Sequence, residues 1–221
     1  MRGKSYSRKS KINSDKAKVI ASLLKKTHKE GSGLKFRTNF ELVVAVVLSA
    51  QCTDNLVNKV TPKLFSLVTN FEELTKISTK KLESLIRKVN YFKTKAKNLK
   101  ALAKRICEEF GGQVPLDFSH LIRLPGIGRK TANVILAENG IASFPVDTHV
   151  QRVAKRLGLV EETSKVNEVE ERLKKIFPEK DWIVLHHGFI WHGRLICKAK
   201  NPKCNDCKLS EVCCKVNVKN S

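Results

Sequence analysis

The spacing of apolar and polar residues has the period of α-helices along most of the chain. In segments 82–89 and 99–106 the apolar residues recur at i, i+3, i+4 and i+7, which places them on one helical face. The second of these predicted helices extends to Phe110 and stops at the glycine pair that follows. Further helices are predicted over 16–28, from Asp147 to Leu157, over 166–173 before Pro178, and from Asp181 towards Arg194. No segment reads convincingly as a strand, so the sequence predicts an all-α protein.

The continuous apolar run at residues 42–48 is the one ambiguous element. Its valines favour a strand by propensity alone. Thr38 and Glu41, however, have the T-x-x-E spacing of a capping box directly before the run. This cap, and a length that reaches Gln51, favour a helix that is buried on all sides.

A glycine-rich turn lies at residues 124–130, which read LPGIGRK. Asp117 is placed to cap a short helix before the turn, and a second helix is predicted over 131–138. Backbone N–H groups in such a turn, together with the positive end of the second helix, suit a phosphate oxygen. The alternative is an ordinary corner between two helices, in which Lys130 is a solvated charge, and short glycine motifs alone do not separate the two.

The charge of the chain favours a polyanionic partner. Lys and Arg number 43 against 21 Asp and Glu, which gives a net charge of +22. A hydrophobic content of 41% is that of a globular protein. Phosphate backbones are the partner that such a charge most often meets. An anionic membrane surface is the alternative, but the sequence has neither a lipidation motif nor an apolar stretch of membrane-spanning length.

The first fifteen residues are predicted to form a disordered basic arm. Residues 1–11 contain five Lys and Arg and lack the apolar core of a secretory signal. Without an export signal the seven cysteines are expected to stay reduced, so disulfides are not expected.

Four cysteines near the end of the chain follow the pattern C-x6-C-x2-C-x5-C: Cys197, Cys204, Cys207 and Cys213. Four thiolates this close can hold either a tetrahedral zinc ion or an iron–sulfur cluster. Structural zinc sites usually have two short C-x2-4-C pairs, whereas this pattern has one, so the spacing favours the cluster. We interpret Cys214 as a bystander and Cys52 and Cys107 as small core residues on apolar helical segments.

The turn and the cysteine spacing both resemble those of the endonuclease III family of DNA glycosylases, which are helix-hairpin-helix proteins. This family carries a catalytic lysine directly after G-x-G-R, where Lys130 stands, and binds a [4Fe–4S] cluster through four cysteines with the same gaps. The resemblance covers roughly residues 17–214. It implies a two-domain fold, with a six-helix domain at 32–141 that contains the hairpin. The cluster domain would combine 16–31 with 142–221, and DNA would lie in the groove between the domains.

The resemblance implies a bifunctional DNA glycosylase and abasic-site lyase that removes oxidised pyrimidines from duplex DNA. A flipped nucleotide would be attacked at C1′ by the neutral amine of Lys130, and the resulting Schiff base permits β-elimination. The helix start and the neighbouring Arg129 both disfavour a charged ammonium on this lysine. Asp147, in the sequence VDTH, is by default a helix cap. The family has its essential aspartate in this setting, which implies that Asp147 stabilises positive charge on the sugar and assists proton transfer.

The resemblance also implies DNA contacts outside the catalytic pair. Gln51 stands where the family has a glutamine that fills the gap left by the flipped base. Tyr91 stands where close relatives carry a leucine that wedges into the duplex, and this departure leaves the choice of opposite base open. The remaining predicted contacts are in the hairpin and in the loop from Cys197 to Cys204, which we call the cysteine loop. They are Pro125, Gly126, Ile127, Gly128, Arg129, Lys198, Lys200 and Lys203.

Two other functions stay open at this point. A DNA-binding module without enzymatic activity would have no use for Lys130 and Asp147, and thymine-mismatch glycosylases are of similar length. The expected partner is double-stranded DNA that contains a damaged base or an abasic site, bound by a monomer. We expect a cytoplasmic, nucleoid-associated protein of a bacterium or archaeon, and a nuclear or mitochondrial one only in a eukaryote. The histidines at 149, 186, 187 and 192 lack metal-ligand spacing and are predicted to pack between helices.

Overall fold

A computed structural model of the protein describes residues 14–26 and 33–218, and within these residues the regular structure is entirely helical. In chain order the α-helices are α1 Ser14–Lys26, α2 Asn39–Ser49, α3 Asp54–Phe65, α4 Phe71–Lys76, α5 Thr79–Ile86, α6 Phe92–Phe110, α7 Phe118–Leu121, α8 Arg129–Glu138, α9 Thr148–Arg156, α10 Val166–Ile176 and α11 Trp182–Leu195. Two 3-10 turns, Glu179–Asp181 and Ser210–Val212, complete the list. Of these helices none combines the length and the apolar character that crossing a bilayer requires.

The all-α prediction is confirmed, and most predicted helices are present with ends shifted by a few residues. Two helices were missed, α3 and α4. The first contains Pro62, which ordinarily breaks a helix, and the second has only six residues, too few to show a period. Residues 1–13 of the predicted basic arm and residues 27–28 of the first predicted helix lie outside the described part of the chain.

The described residues divide into two compact units. We call the first, built from residues 33–145, the hairpin unit. The second combines 14–26 with 146–218, and we call it the cysteine unit. Helix α1 thus belongs to the same unit as α9, α10 and α11.

The hairpin unit is organised around α2, whose residues 40–48 are all buried. Its start is fixed by Thr38, whose hydroxyl accepts a hydrogen bond from the Glu41 amide at 3.2 Å. The predicted capping box is only half formed, because the Glu41 carboxylate accepts from the Arg37 amide at 2.7 Å instead of reaching the Thr38 amide. The hydrogen bond to the Arg37 side chain also lowers the pKa of Glu41. Helix α2 packs against α3, α6 and α8. Because α8 directly follows the glycine-rich turn, this packing positions the turn.

The core of the cysteine unit forms where α11 crosses α1 and α9. The crossing with α1 is close because α11 has Gly188 at the contact, where a Cβ would lie 2.7 Å from the Leu24 carbonyl oxygen. The crossing with α9 has Gly193, where a Cβ would lie 2.9 Å from the Cβ of His149. Both glycines therefore serve helix packing, because each obstacle is fixed to the main chain of the neighbouring helix, as a carbonyl oxygen of α1 or a Cβ of α9.

Replacing Gly188 with alanine is expected to lower the free energy of unfolding by about 1–3 kcal/mol, because the backbone of α1 has to move away. Gly193→Ala in the same helix should be destabilising by a similar amount, because the Cβ of His149 moves only with the backbone of α9. Thermal or urea unfolding of both variants measures the two costs. Equal stability of Gly188→Ala and the wild type would contradict the close crossing.

Candidate active site and metal centre

The glycine-rich turn lies between α7 and α8, as predicted. Asp117 caps α7 by accepting a hydrogen bond from the His120 amide at 3.0 Å. Gly126 has a φ of +80°, and a Cβ at this position would lie 3.1 Å from the Cβ of Asn98 in α6. Both the backbone conformation and the close approach to Asn98 therefore require a glycine here.

The free amides of the turn are fewer than predicted. The Ile127 amide donates to the Leu124 carbonyl at 3.1 Å, and the Ile127 side chain is buried. Ile127 thus anchors the turn, and the structure gives no support for a side-chain contact to DNA. Helix α8 starts at Arg129, two residues earlier than predicted, and its first hydrogen bond runs from Ala132 to the Gly128 carbonyl at 2.9 Å.

The start of α8 is the part of the turn that suits an anion. Gly128 is the N-cap of α8, and no side chain accepts a hydrogen bond from the first amides of this helix. These amides also have no acceptor within the helix. Lys130, the second residue of α8, is exposed. The guanidinium of Arg129 lies over the ring of Phe118, 5.1 Å from its centroid, which holds that side chain against α7. The arrangement presents backbone donors and an exposed amine on one short segment.

Asp147 caps α9, as the default interpretation predicted. Its Oδ1 accepts from the amides of His149 and Val150, both at 2.8 Å. Both bonds go to the same oxygen, so Oδ2 takes part in neither. Asp147 is half-buried, and it is the second residue of the part of the cysteine unit that follows the hairpin unit in sequence. The cap thus orients the carboxylate and leaves one oxygen for chemistry.

Gln51 and Tyr91 share a property that the sequence did not reveal. Each has a φ of +56°, in the left-handed region that non-glycine residues rarely adopt. Both side chains are exposed, Tyr91 to 66%. The side chain of Asn90, next to Tyr91, donates to the Gln51 carbonyl at 2.8 Å. Strained backbone at two exposed, hydrogen-bonded residues is typical of functional sites.

The four predicted ligand cysteines line one cavity in the cysteine unit. Cys214 is absent from its lining and accepts a hydrogen bond from Lys16 at 3.1 Å. Burial raises the pKa of the thiols of Cys207 and Cys213. Within the described ranges no three His, Cys, Asp or Glu side chains converge closely enough to hold a single ion.

His192, which is buried on α11, also lines this cavity. Its Nε2 lies 3.7 Å from the sulfur of Cys207. Burial lowers the pKa of His192 to about 4, so the imidazole is neutral at physiological pH. Cys52 packs against the core of the hairpin unit, as predicted, but it follows the end of α2 and does not lie in a helix.

Two arginines of α9 hold the loop that follows the first cysteine. Arg156 donates to the Lys198 carbonyl at 2.6 Å and to the Ala199 carbonyl at 3.1 Å. Arg152 donates to the Cys197 carbonyl at 3.0 Å. Because these bonds use main-chain oxygens, the loop lysines stay exposed: Lys198, Lys200 and Lys203. The sequence analysis missed both arginines, although their i, i+4 spacing behind Asp147 places them on one face of a helix.

Comparison with known proteins identifies the family. Residues 44–179 match the family model of the HhH-GPD superfamily base excision DNA repair proteins. The chain is 47% identical to endonuclease III of Bacillus subtilis over 175 residues, which cover 79% of this chain and 80% of that protein. It is 40% identical to endonuclease III of Synechocystis over 209 residues, or 93% and 95% of the two chains.

A solved structure of a trapped endonuclease III–DNA covalent intermediate is also similar. It superimposes with a TM-score of 0.87 at 40% identity and covers 91% of this chain and 96% of that chain. The structure of a thermostable thymine-DNA glycosylase, at 23% identity and a TM-score of 0.82, shares the fold. The resemblance found in the sequence is thereby confirmed. The chain belongs to the endonuclease III family of base excision repair enzymes, which are DNA glycosylases with abasic-site lyase activity.

Proposed function

We propose that the protein removes oxidised pyrimidines from duplex DNA and cleaves the resulting abasic site, with Lys130 as the nucleophile. The observation that carries this proposal is the position of Lys130. Its amine is exposed on the first turn of α8, directly after an uncapped helix start that can bind a phosphate. A module that only binds DNA would need the helix start but not the lysine.

The proposed reaction starts with the damaged nucleotide flipped out of the duplex. The Lys130 Nζ forms a bond to C1′ as the bond from C1′ to the base breaks, and the base leaves with the electron pair of that bond and takes up a proton. Opening of the sugar ring gives a Schiff base between Nζ and C1′. Loss of a proton from C2′ then breaks the C3′–O bond and releases the 3′ phosphate by β-elimination.

Asp147 is proposed to supply the carboxylate for this reaction. Its Oδ1 is held by two amides of α9, which fixes the direction of Oδ2. A fixed carboxylate stabilises positive charge on the sugar and accepts or returns protons without reorganisation. The same two hydrogen bonds that cap the helix thus orient the catalytic group.

The DNA contacts are proposed from exposure and backbone geometry. Gln51 would fill the space that the flipped base leaves, and Tyr91 would stack at the opposite side of the gap. The hairpin would grip a phosphate through Pro125, Gly126, Gly128 and Arg129, with Ile127 contributing only to the shape of the turn. The exposed lysines of the cysteine loop would bind a further stretch of backbone.

The four cysteines of the cavity are proposed to bind a [4Fe–4S] cluster. All four line one cavity, which supports a shared group, and the thiols deprotonate on binding iron. The cluster supplies structural cross-linking here. The chain's own arginines then hold the loop, and the loop presents its lysines to DNA.

We further propose that the hairpin and cysteine units are the two domains of the predicted fold, and that the protein acts as a monomer. Its relatives named above are bacterial, which supports the cytoplasm as the site of action, where the cysteines stay reduced.

Borohydride trapping on a duplex with one abasic site tests the nucleophile. Reduction of the Schiff base should give a covalent protein–DNA adduct with the wild type. Lys130→Ala should give none and should lose base-excision activity by roughly 10³-fold or more, because a covalent nucleophile is removed. Gel electrophoresis resolves the adduct.

Lys104→Ala is the matched control, since Lys104 is exposed and pairs with Glu108 on α6. Its adduct should form at the wild-type rate. A folded, DNA-binding wild type that forms no adduct would contradict the bifunctional mechanism. It would leave a monofunctional glycosylase, with Asp147 activating water, or a binding module.

Metal analysis of single cysteine variants tests the cluster. The wild type purified without oxygen should contain about four iron and four sulfide per chain and absorb visible light. Cys207→Ser should lose most of the iron, whereas Cys214→Ser should retain it because Cys214 does not line the cavity. Stoichiometric zinc without iron or sulfide would contradict the assignment.

A further inference from the structure

Lys95 is a buried lysine that neither the fold nor the proposed chemistry has yet explained. Only 6% of its surface is exposed. Its ammonium donates to the carbonyls of Leu48 and Ala50, at 2.8 and 2.6 Å, and contacts the sulfur of Cys52 at 3.5 Å. A side chain of α6 thus binds the main chain at the end of α2, more than forty residues away in sequence.

The charge of this ammonium is balanced without a carboxylate. Among the described residues no Asp or Glu lies within ion-pair distance of Lys95. The last carbonyls of a helix lack partners within the helix and carry partial negative charge. Lys95 pairs two carbonyls at the end of α2, those of Leu48 and Ala50, and the Leu48 carbonyl is buried and would otherwise lack a partner.

The same residue is linked to Gln51 and to Tyr91, two of the exposed residues that have left-handed backbone. Its ammonium binds the carbonyl of Ala50, which directly precedes Gln51. Lys95 also lies in the first turn of α6, where Tyr91 is the N-cap and its carbonyl accepts the first bond of the helix from the Lys95 amide at 3.0 Å. The Asn90 side chain closes the connection by donating to the Gln51 carbonyl. The Asn90 amide also donates to the Cys52 sulfur at 3.3 Å.

We propose that Lys95 is a positioning residue that fixes Gln51 and Tyr91 relative to each other, so that both enter the duplex as one rigid pair. The inference rests on the proposed DNA contacts of these two residues. Their backbone conformation is unfavourable for non-glycine residues, and it persists because the surrounding hydrogen bonds hold it. Without the ammonium the segment around Gln51 relaxes, and the glutamine no longer meets the gap at a fixed distance from Tyr91.

The chain offers a matched control for the loss of such a lysine. Lys100, on the same helix α6, donates to the carbonyls of Leu74 and Thr75 at 3.2 and 2.6 Å, at the end of α4. It performs the same capping of a helix end, but none of its bonds involves residues 48–52 or 90–91. Lys95→Met and Lys100→Met therefore remove similar hydrogen bonds, and they differ in the residues that those bonds position.

The experiment compares the wild type, Lys95→Met, Lys100→Met and Gln51→Ala on a duplex that has 2-aminopurine opposite a stable abasic-site analogue. Insertion of Gln51 beside this base should unstack it and raise its fluorescence. At saturating protein the wild type and Lys100→Met should give the full rise, and Lys95→Met should give a rise as small as that of Gln51→Ala. Single-turnover base excision by Lys95→Met should be roughly 10- to 100-fold slower, because misplacement of positioning groups costs that much.

Unfolding midpoints of both lysine variants separate positioning from general destabilisation. If Lys95→Met does not fold, Asn90→Ala replaces it, because Asn90 is exposed and its side chain bonds to the Gln51 carbonyl. Asn90→Ala should also give a smaller rise in 2-aminopurine fluorescence than the wild type.

Equal fluorescence and rates for Lys95→Met and Lys100→Met, with a reduced signal for Gln51→Ala, would overturn the role of Lys95 and leave the proposed function intact. An unchanged signal for Gln51→Ala would instead show that Gln51 does not fill the gap, and the inference would fall with that contact. Trapping of an abasic site through Lys130 would remain a separate measurement in either case.

Discussion

The burial of α2 is the constraint on which the hairpin unit depends. Nine consecutive residues, 40–48, are shielded from water on every side, so the helix can exist only with α3, α6 and α8 packed around it. Helix α8 carries Lys130 on its first turn, and α6 supplies Asn98 beneath the hairpin. The same packing therefore forms the core and places the amine at the surface.

Burial also makes the end of α2 a place where polar groups have to be paired. The carbonyls of Leu48 and Ala50 are satisfied by Lys95, and the chain then turns through Gln51 in a left-handed conformation. A buried charge that binds two backbone oxygens and a sulfur, without a carboxylate, is sensitive to geometry, since its alternative is an unpaired ammonium. The hydrogen bonds of Lys95 thus have two effects. They pair carbonyls at the end of α2, and they position the exposed side chain of Gln51.

The cysteine unit contains a short irregular loop, residues 197–204, that has no hydrophobic core to hold it in place. Two arginines from α9 fix the main chain there, beside the cavity that the four cysteines line. Because these contacts reach main-chain carbonyls and thiols, the lysine side chains of the loop are left exposed for a polyanion. The cap of α9 is made by Asp147, so this helix organises both the loop and the carboxylate.

Most of the helices, the caps at Thr38, Asp117 and Asp147, and the cysteine set could be predicted because each has a local signal in the sequence. The period of 3.6, the cap at Thr38 and the glycine after Phe110 are of this kind. The remaining features depend on contacts between distant segments, such as Lys95 with Ala50 and Arg156 with Lys198. A left-handed Gln51 could not be foreseen either, since the residue type does not require that conformation.

The most direct test of Lys130 as the nucleophile is to locate the covalent bond between protein and DNA. After borohydride reduction on abasic DNA, nuclease treatment and proteolysis, mass spectrometry of the peptides identifies the amine that carries the sugar fragment. The account predicts that the fragment is on Lys130 and that the mass shift matches a secondary amine. A fragment on the N-terminal amine or on another lysine would contradict the assignment of Lys130 as the nucleophile.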